Sequence, residues 1–260
     1  MADAEALRDA ASTGVQVTPA PTPPSATAPD GSIMSLVDHL GELRDRLFRI
    51  ILAVVAGGAI GFYLSQGIRN LLLDLIPDGT AQTLGPGDGF AITLRISLIT
   101  GVILAMPVIL YQFWAFVAPG LTPAERKVVR PWVPLALLFF ALGVGVAYIV
   151  LPYALKFLFS FNDARLIENV AAGPFFDFVT TMFLAFGLIM EFPILLVGLS
   201  RVGILTSDRL RRSRRYVFLG ILIFAAIATP GGDLVSPGVL TATMYVLFEL
   251  TVLFIKRTGR

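Results

Sequence analysis

The groups in this chain with chemistry to offer are acids set beside or inside apolar sequence. Glu42 lies in Ser35-Leu36-Val37-Asp38-His39-Leu40-Gly41-Glu42-Leu43-Arg44-Asp45-Arg46-Leu47. A carboxylate on a fixed helix can take a guanidinium through two parallel hydrogen bonds. Arg46, four residues on, offers an ordinary alternative, an intrahelical pair worth about 0.2–0.5 kcal/mol, and on spacing alone that is the commoner arrangement. Glu125 closes Leu121-Thr122-Pro123-Ala124-Glu125, where Thr122 reads as an N-cap, Pro123 as the first helical residue and Glu125 as the third. That is a complete structural role. Phe113, Trp114 and Phe116 precede it as an aromatic group of the kind found where a span leaves the membrane. Glu191 sits deep in an apolar run, two residues before Pro193. Intramembrane acids are costly and by default mark a functional interior, although a helix opened by proline can also occupy such a group. Glu249 raises the same question nearer a chain end. Asp233 follows Pro230-Gly231-Gly232 and fits a plain turn. Gly85-Pro86-Gly87-Asp88-Gly89 has neither the lysine nor the helix context of a phosphate loop, and reads as a turn.

The elements that must carry these groups are hydrophobic helices. The chain of 260 residues is 56% hydrophobic and 15% charged, with a mean hydropathy of +0.80. An average soluble domain is about a quarter charged, so the composition and the length of the apolar runs predict a polytopic membrane protein. Six spans are expected, at about 48–68, 91–117, 131–155, 175–200, 215–229 and 237–255. The fifth and sixth are expected to be short: the apolar part of the fifth, Tyr216–Thr229, rises only about 21 Å, against a hydrocarbon core of about 30 Å. Pro107, Pro134, Pro152 and Pro193 lie in or near helix ends and favour bends, which suggests a curved, open bundle. Ahead of the first span, Leu36, Leu40, Leu43 and Leu47 mark one helical face, capped by Ser35, with Glu42 in a charged row away from them. The expectation is a short amphipathic helix on the membrane surface that leads into the span. Residues 1–31, rich in Ala, Pro, Ser and Thr, read as a disordered tail, with residues 32–257 forming the membrane domain.

If the N-terminus is cytoplasmic, that side holds sixteen of the 20 Lys and Arg residues. The bias places both termini inside. The chain has no cysteine and one histidine, His39, which excludes disulfides, thiolate chemistry and histidine clusters. No internal repeat is visible. No metal or cofactor site is expected, and no nucleophile or acid dyad of an intramembrane protease stands out.

In combination these segments resemble one family. His39-Leu40-Gly41-Glu42-Leu43-Arg44-Asp45-Arg46-Leu47 is similar to the amino-terminal signature of TatC, the multi-spanning receptor subunit of the twin-arginine protein translocase. The resemblance continues through Ala105–Phe116, Glu125-Arg126, Ala185-Phe186-Gly187 with Glu191 and Pro193, Thr229-Pro230 with Asp233, and Met244–Glu249. It covers about Ser35 to Lys256. Pro237 after Ser236, where a glutamine is usual, and Thr243, where a proline is usual, depart from the pattern at the start of the sixth helix.

The resemblance implies a non-enzymatic translocase receptor with six helices in a glove-like bundle in the bacterial cytoplasmic membrane. It implies that Glu42 and Glu125 receive the arginine pair of a signal peptide, with Phe116 in the same recognition loop. Glu191 would be the acid inside the concave face, and Asp233 an outer acid needed for transport. The implied partners are twin-arginine signal peptides of folded cargo, TatB-like and TatA-like single-span subunits, further copies of the chain and the lipid bilayer, with no nucleic acid. The proton-motive force would drive export. The rival from another class is a proton-coupled small-solute transporter that uses Glu191 and Glu249 as a relay.

Overall fold

A computed structural model describes residues 36–76, 78–123, 126–127, 132–161, 169–201, 207–228 and 234–257. The tail to residue 31, Glu125, and the turn that carries Asp233 lie outside the described residues. The chain divides into a unit ending at His39 and a unit beginning at Leu40; the second is the one described below.

The described residues form helices α1 (Leu36–Leu73), α2 (Asp88–Val117), α3 (Trp132–Phe159), α4 (Ala172–Ile189), α5 (Phe192–Arg201), α6 (Ser207–Arg212), α7 (Arg214–Ala228) and α8 (Val235–Arg257), with a 3-10 turn at Ala118–Gly120. Among them, five helical stretches are long and apolar enough to cross a membrane: Leu40–Leu73, Asp88–Gly120, Trp132–Phe159, Ala172–Ser200 and Val235–Arg257. Helix α7 has 15 residues and rises about 22 Å, as short as expected. By contrast α8, expected to be short as well, runs for 23 residues because its helix continues past the apolar run to Arg257, and is long enough to span.

The core is built on α4. Phe175, Phe176, Val179, Met182 and Phe186 recur at helical spacing and are all buried. They meet Ala147, Leu151 and Ala154 of α3, and Leu240, Met244 and Phe248 of α8 belong to the same cluster. The α3–α4 contact is the most extensive between helices, and glycine explains how near the two come. A Cβ placed on Gly143 would meet the carbonyl oxygen of Phe186, and one on Gly187 would lie 2.6 Å from the ring of Phe140. Lipid is as apolar as leucine, so backbone proximity and dispersion hold such helices together. The many exposed leucines, isoleucines and phenylalanines are then the surface that lipid covers.

Proline acts unequally. α2 runs through Pro107 and α3 through Pro152 without interruption, whereas the fourth apolar run breaks into α4 and α5 just before Pro193. Pro193 has no N–H for the carbonyl of Ile189, and the chain there turns through tighter bonds, Glu191 N–H to Leu188 and Ile194 N–H to Glu191, each at 3.1 Å. At the start of α8, Pro237 falls in the first turn, where a missing donor costs little. Ser236 beside it is fully buried with its hydroxyl on Met182 Sδ at 3.9 Å, and the Thr243 hydroxyl donates to the Val239 carbonyl at 2.8 Å. The helix therefore passes both positions where the family pattern is broken.

At the end of α2 and α4 nearer the 74–87 and 169–172 segments, Gln82 and Ala171 form a parallel bridge, with Gln82 N–H on Val170 and Ala172 N–H on Gln82, each at 2.8 Å. Arg95 of α2 and Asp177 of α4 form an ion pair close by, both about half exposed. Exposed pairs contribute about 0–1 kcal/mol. Arg95→Gln should therefore lower the unfolding free energy by less than about 1 kcal/mol in a detergent titration. A loss several times larger would mean that the pair is sealed from solvent.

Candidate functional site

Glu42 is positioned by a helix that differs from the surface helix expected. Among the described residues the expected leader is not a separate segment: from Leu40 to Leu73 the helix is unbroken. Its leucines also face the other way. Leu40 is 64% exposed and Leu47 52%, while the side chains of Glu42 and Arg46 are only 21% and 17% exposed. The charged row, not the leucine row, is turned toward the protein. Lipid accepts the leucines, so the face that needs protein partners is the polar one.

Arg46 joins that row to α2. Its Nε and Nη2 both donate to Glu42 Oε1, the first at 3.0 Å, and its Nη1 donates to Gln112 Oε1 at 3.3 Å. Gln112 is 7% exposed, on the inward face of α2. Glu42 Oε2 is buried and has no hydrogen-bond partner among the described residues. A carboxylate has about four lone-pair positions on its two oxygens. One guanidinium therefore occupies Oε1 and orients the group, while Oε2 retains full acceptor capacity in a place shielded from water. A buried acceptor left unused costs about 1–3 kcal/mol, which a cationic donor would recover on arrival.

Crossing glycines fix α1 against α2. A Cβ on Gly57 would stand 2.7 Å from the Gly101 carbonyl oxygen, and one on Gly61 2.7 Å from that of Ser97. A Cβ on Gly101 would lie 2.6 Å from Gly58 N and 2.8 Å from the Val54 carbonyl oxygen. Backbone rests on backbone here, and that contact sets the register in which Arg46 meets Gln112.

Past Gln112, α2 carries Phe116, which is half buried, and then enters the 3-10 turn. The Arg126 N–H donates to the Thr122 carbonyl at 2.9 Å, the backbone spacing of a first helical turn. Glu125 stands one residue before Arg126 and outside the described residues. Glu191 lies at the α4–α5 break, partly buried, with Oε1 enclosed and no hydrogen-bond partner among the described residues. Glu249 is engaged: its Oε2 accepts from Arg214 Nη2 at 2.6 Å, which ties α8 to the start of α7. A relay from Glu191 to Glu249 gains nothing from that arrangement. Gln112 is the site residue that reading by residue type passed over; a lone amide between Tyr111 and Phe113 in an apolar helix was the available signal. Among the described residues no group of His, Cys, Asp or Glu is arranged to hold a metal ion.

Comparison with known proteins gives one answer. A family model described as Sec-independent protein translocase protein (TatC) matches residues 38–242. The chain is 37% identical over 227 residues to the protein of that name from Azotobacter chroococcum, covering 85% of this chain and 89% of the relative. It is 33% identical over 231 residues to Sec-independent protein translocase protein TatCy of Bacillus subtilis, covering 87% and 91%. A crystal structure described as the twin arginine translocase receptor TatC superposes with a TM-score of 0.73 at 34% identity, covering 85% of this chain and all of that one.

Proposed function

The chain belongs to the TatC family and is a multi-pass membrane component of the twin-arginine translocase, and from that premise we propose that Glu42 is its receptor carboxylate for the arginine pair of a signal peptide. The observation that carries this reading is the inward-turned Glu42, held through Oε1 by Arg46, which Gln112 in turn holds, while Oε2 has no hydrogen-bond partner among the described residues. One arginine of the pair meets Oε2. The second meets Glu125. Phe116, between the two in sequence, packs against the peptide.

The rest of the reading follows from the charge bias and the family. α7 serves as the short fifth of six spans, so both termini lie in the cytoplasm and the site faces that side of the bacterial plasma membrane. The apolar part of the signal inserts beside the helices. Single-span TatB-like and TatA-like subunits join, further copies of the chain associate, and the proton-motive force drives folded cargo across. Glu191 is the acid that lines the inner face of this route, and Asp233 serves the outer side.

Guanidinium presents a planar fork that matches a carboxylate, whereas lysine offers a compact point charge. A photo-crosslinker placed at position 42 or 125 is therefore expected to label an Arg-Arg signal peptide strongly and its Lys-Lys counterpart weakly. Equal labelling of the two peptides would sink the assignment.

A further inference from the structure

A second site lies away from Glu42, in a groove of about 430 Å³ between α6–α7 and the C-terminal half of α8. Arg211, Arg214 and Lys256 are its cations, and Glu249 is its acid. The Arg214–Glu249 pair neutralises itself at 2.6 Å, although Arg214 Nε and Glu249 Oε1 remain buried without hydrogen-bond partners among the described residues. Arg211 and Lys256 are exposed and form no ion pair among the described residues, so the groove carries two positive charges in excess. Val246, Leu250 and Leu253, all about half exposed, stand at i, i+4 and i+7 along α8 and form an apolar track that ends at Lys256.

From Val246 to Lys256 the track runs about 15 Å, the depth of hydrocarbon in one leaflet. A soluble anion has no use for such a track, and an apolar helix has no use for the cations at its end. We propose that this groove binds an anionic phospholipid, with its phosphate between Arg211, Arg214 and Lys256 and an acyl chain along Val246, Leu250 and Leu253. Glu249 holds Arg214 in place beneath the phosphate. A zwitterionic lipid is disfavoured, since its ammonium would sit among uncompensated cations. The bound lipid fastens the start of α7, a helix whose contacts are mainly with α8, at the membrane surface.

The test uses the full chain purified in neutral detergent and offered phosphatidylglycerol, phosphatidylcholine or inorganic phosphate, with bound molecules counted by native mass spectrometry. Phosphatidylglycerol is expected to be retained over phosphatidylcholine. Arg211→Gln with Lys256→Gln should weaken its binding about fivefold for each charge removed. Arg215→Gln, outside the groove, should leave it unchanged. Equal retention of the two lipids, or unaltered phosphatidylglycerol binding by the double variant, overturns the proposal. So does displacement of the lipid by inorganic phosphate alone. If the double variant keeps its lipid but releases a copurifying single-span protein, the groove is a protein-docking face and the lipid assignment is wrong.

Discussion

Binding of a twin-arginine signal peptide should fall by roughly two orders of magnitude when Glu42 is replaced by alanine, and further when Glu125→Ala is added. Removing one partner of a shielded, hydrogen-bonded charge pair costs about 2–5 kcal/mol, and each 1.4 kcal/mol is tenfold in affinity. The substitution also strands Arg46, which has Glu42 and Gln112 as its partners among the described residues. Part of any loss could then come from disturbed structure. Glu42→Gln separates the two effects, since it keeps an acceptor for Arg46 and removes the charge. It should fold as the parent does, judged by thermal unfolding in detergent, and still bind peptide at least tenfold more weakly. Titration of a fluorescent Arg-Arg peptide onto the purified full chain reads both variants. A dissociation constant unchanged in Glu42→Gln and Glu42→Ala would remove Glu42 from the binding site.

Gly101→Leu should do comparable damage from the middle of the membrane. The first added carbon would already stand 2.6 Å from Gly58 N and 2.8 Å from the Val54 carbonyl oxygen, and neither is a side chain that can swing away. Overpacking usually costs about 1–3 kcal/mol where side chains can rearrange, so a clash with backbone belongs at or beyond the upper end. α1 must then separate from α2, and Arg46 loses its reach to Gln112. The chain contains no cysteine, so an engineered pair, one on α1 and one on α2 near Arg46 and Gln112, reports that distance without background. Efficient disulfide formation in the parent and little in Gly101→Leu is the expected result. Equal crosslinking would show that the helices meet by some other surface. Gly101→Ala should give an intermediate yield.

Glu42 shows what was legible in the sequence and what was not. The spacing of Leu36, Leu40, Leu43 and Leu47 correctly identifies a two-faced helix, but in water such a stripe points to the core. In a bilayer the same leucines can face lipid, and Leu40 and Leu47 are exposed. Periodicity alone fixes the faces without saying which one is inside. The interruption near Glu191 was readable, because Pro193 lacks the donor that the Ile189 carbonyl needs; that Pro107 and Pro152 leave their helices continuous was not. The helical turn after Thr122 is local chemistry, and a backbone bond from Arg126 to Thr122 is present. Three features join residues far apart in sequence and have no local signal: the Gln82–Ala171 bridge, the Arg214–Glu249 pair and the contact of Gly57 and Gly61 with α2. Each depends on which helices become neighbours, and apolar composition does not specify that.

The glycine crossing of α1 and α2 has a mechanical consequence. Gly57 is about 22 Å along the helix axis from Glu42, and the span around it is mostly bare to lipid, with only 11% of its most apolar window buried. The helix is therefore a lever resting on a narrow fulcrum, its long arm ending at the carboxylate. A tilt of about 5° about that point carries Glu42 sideways by about 2 Å, enough to part Arg46 from Gln112 without disturbing the glycines.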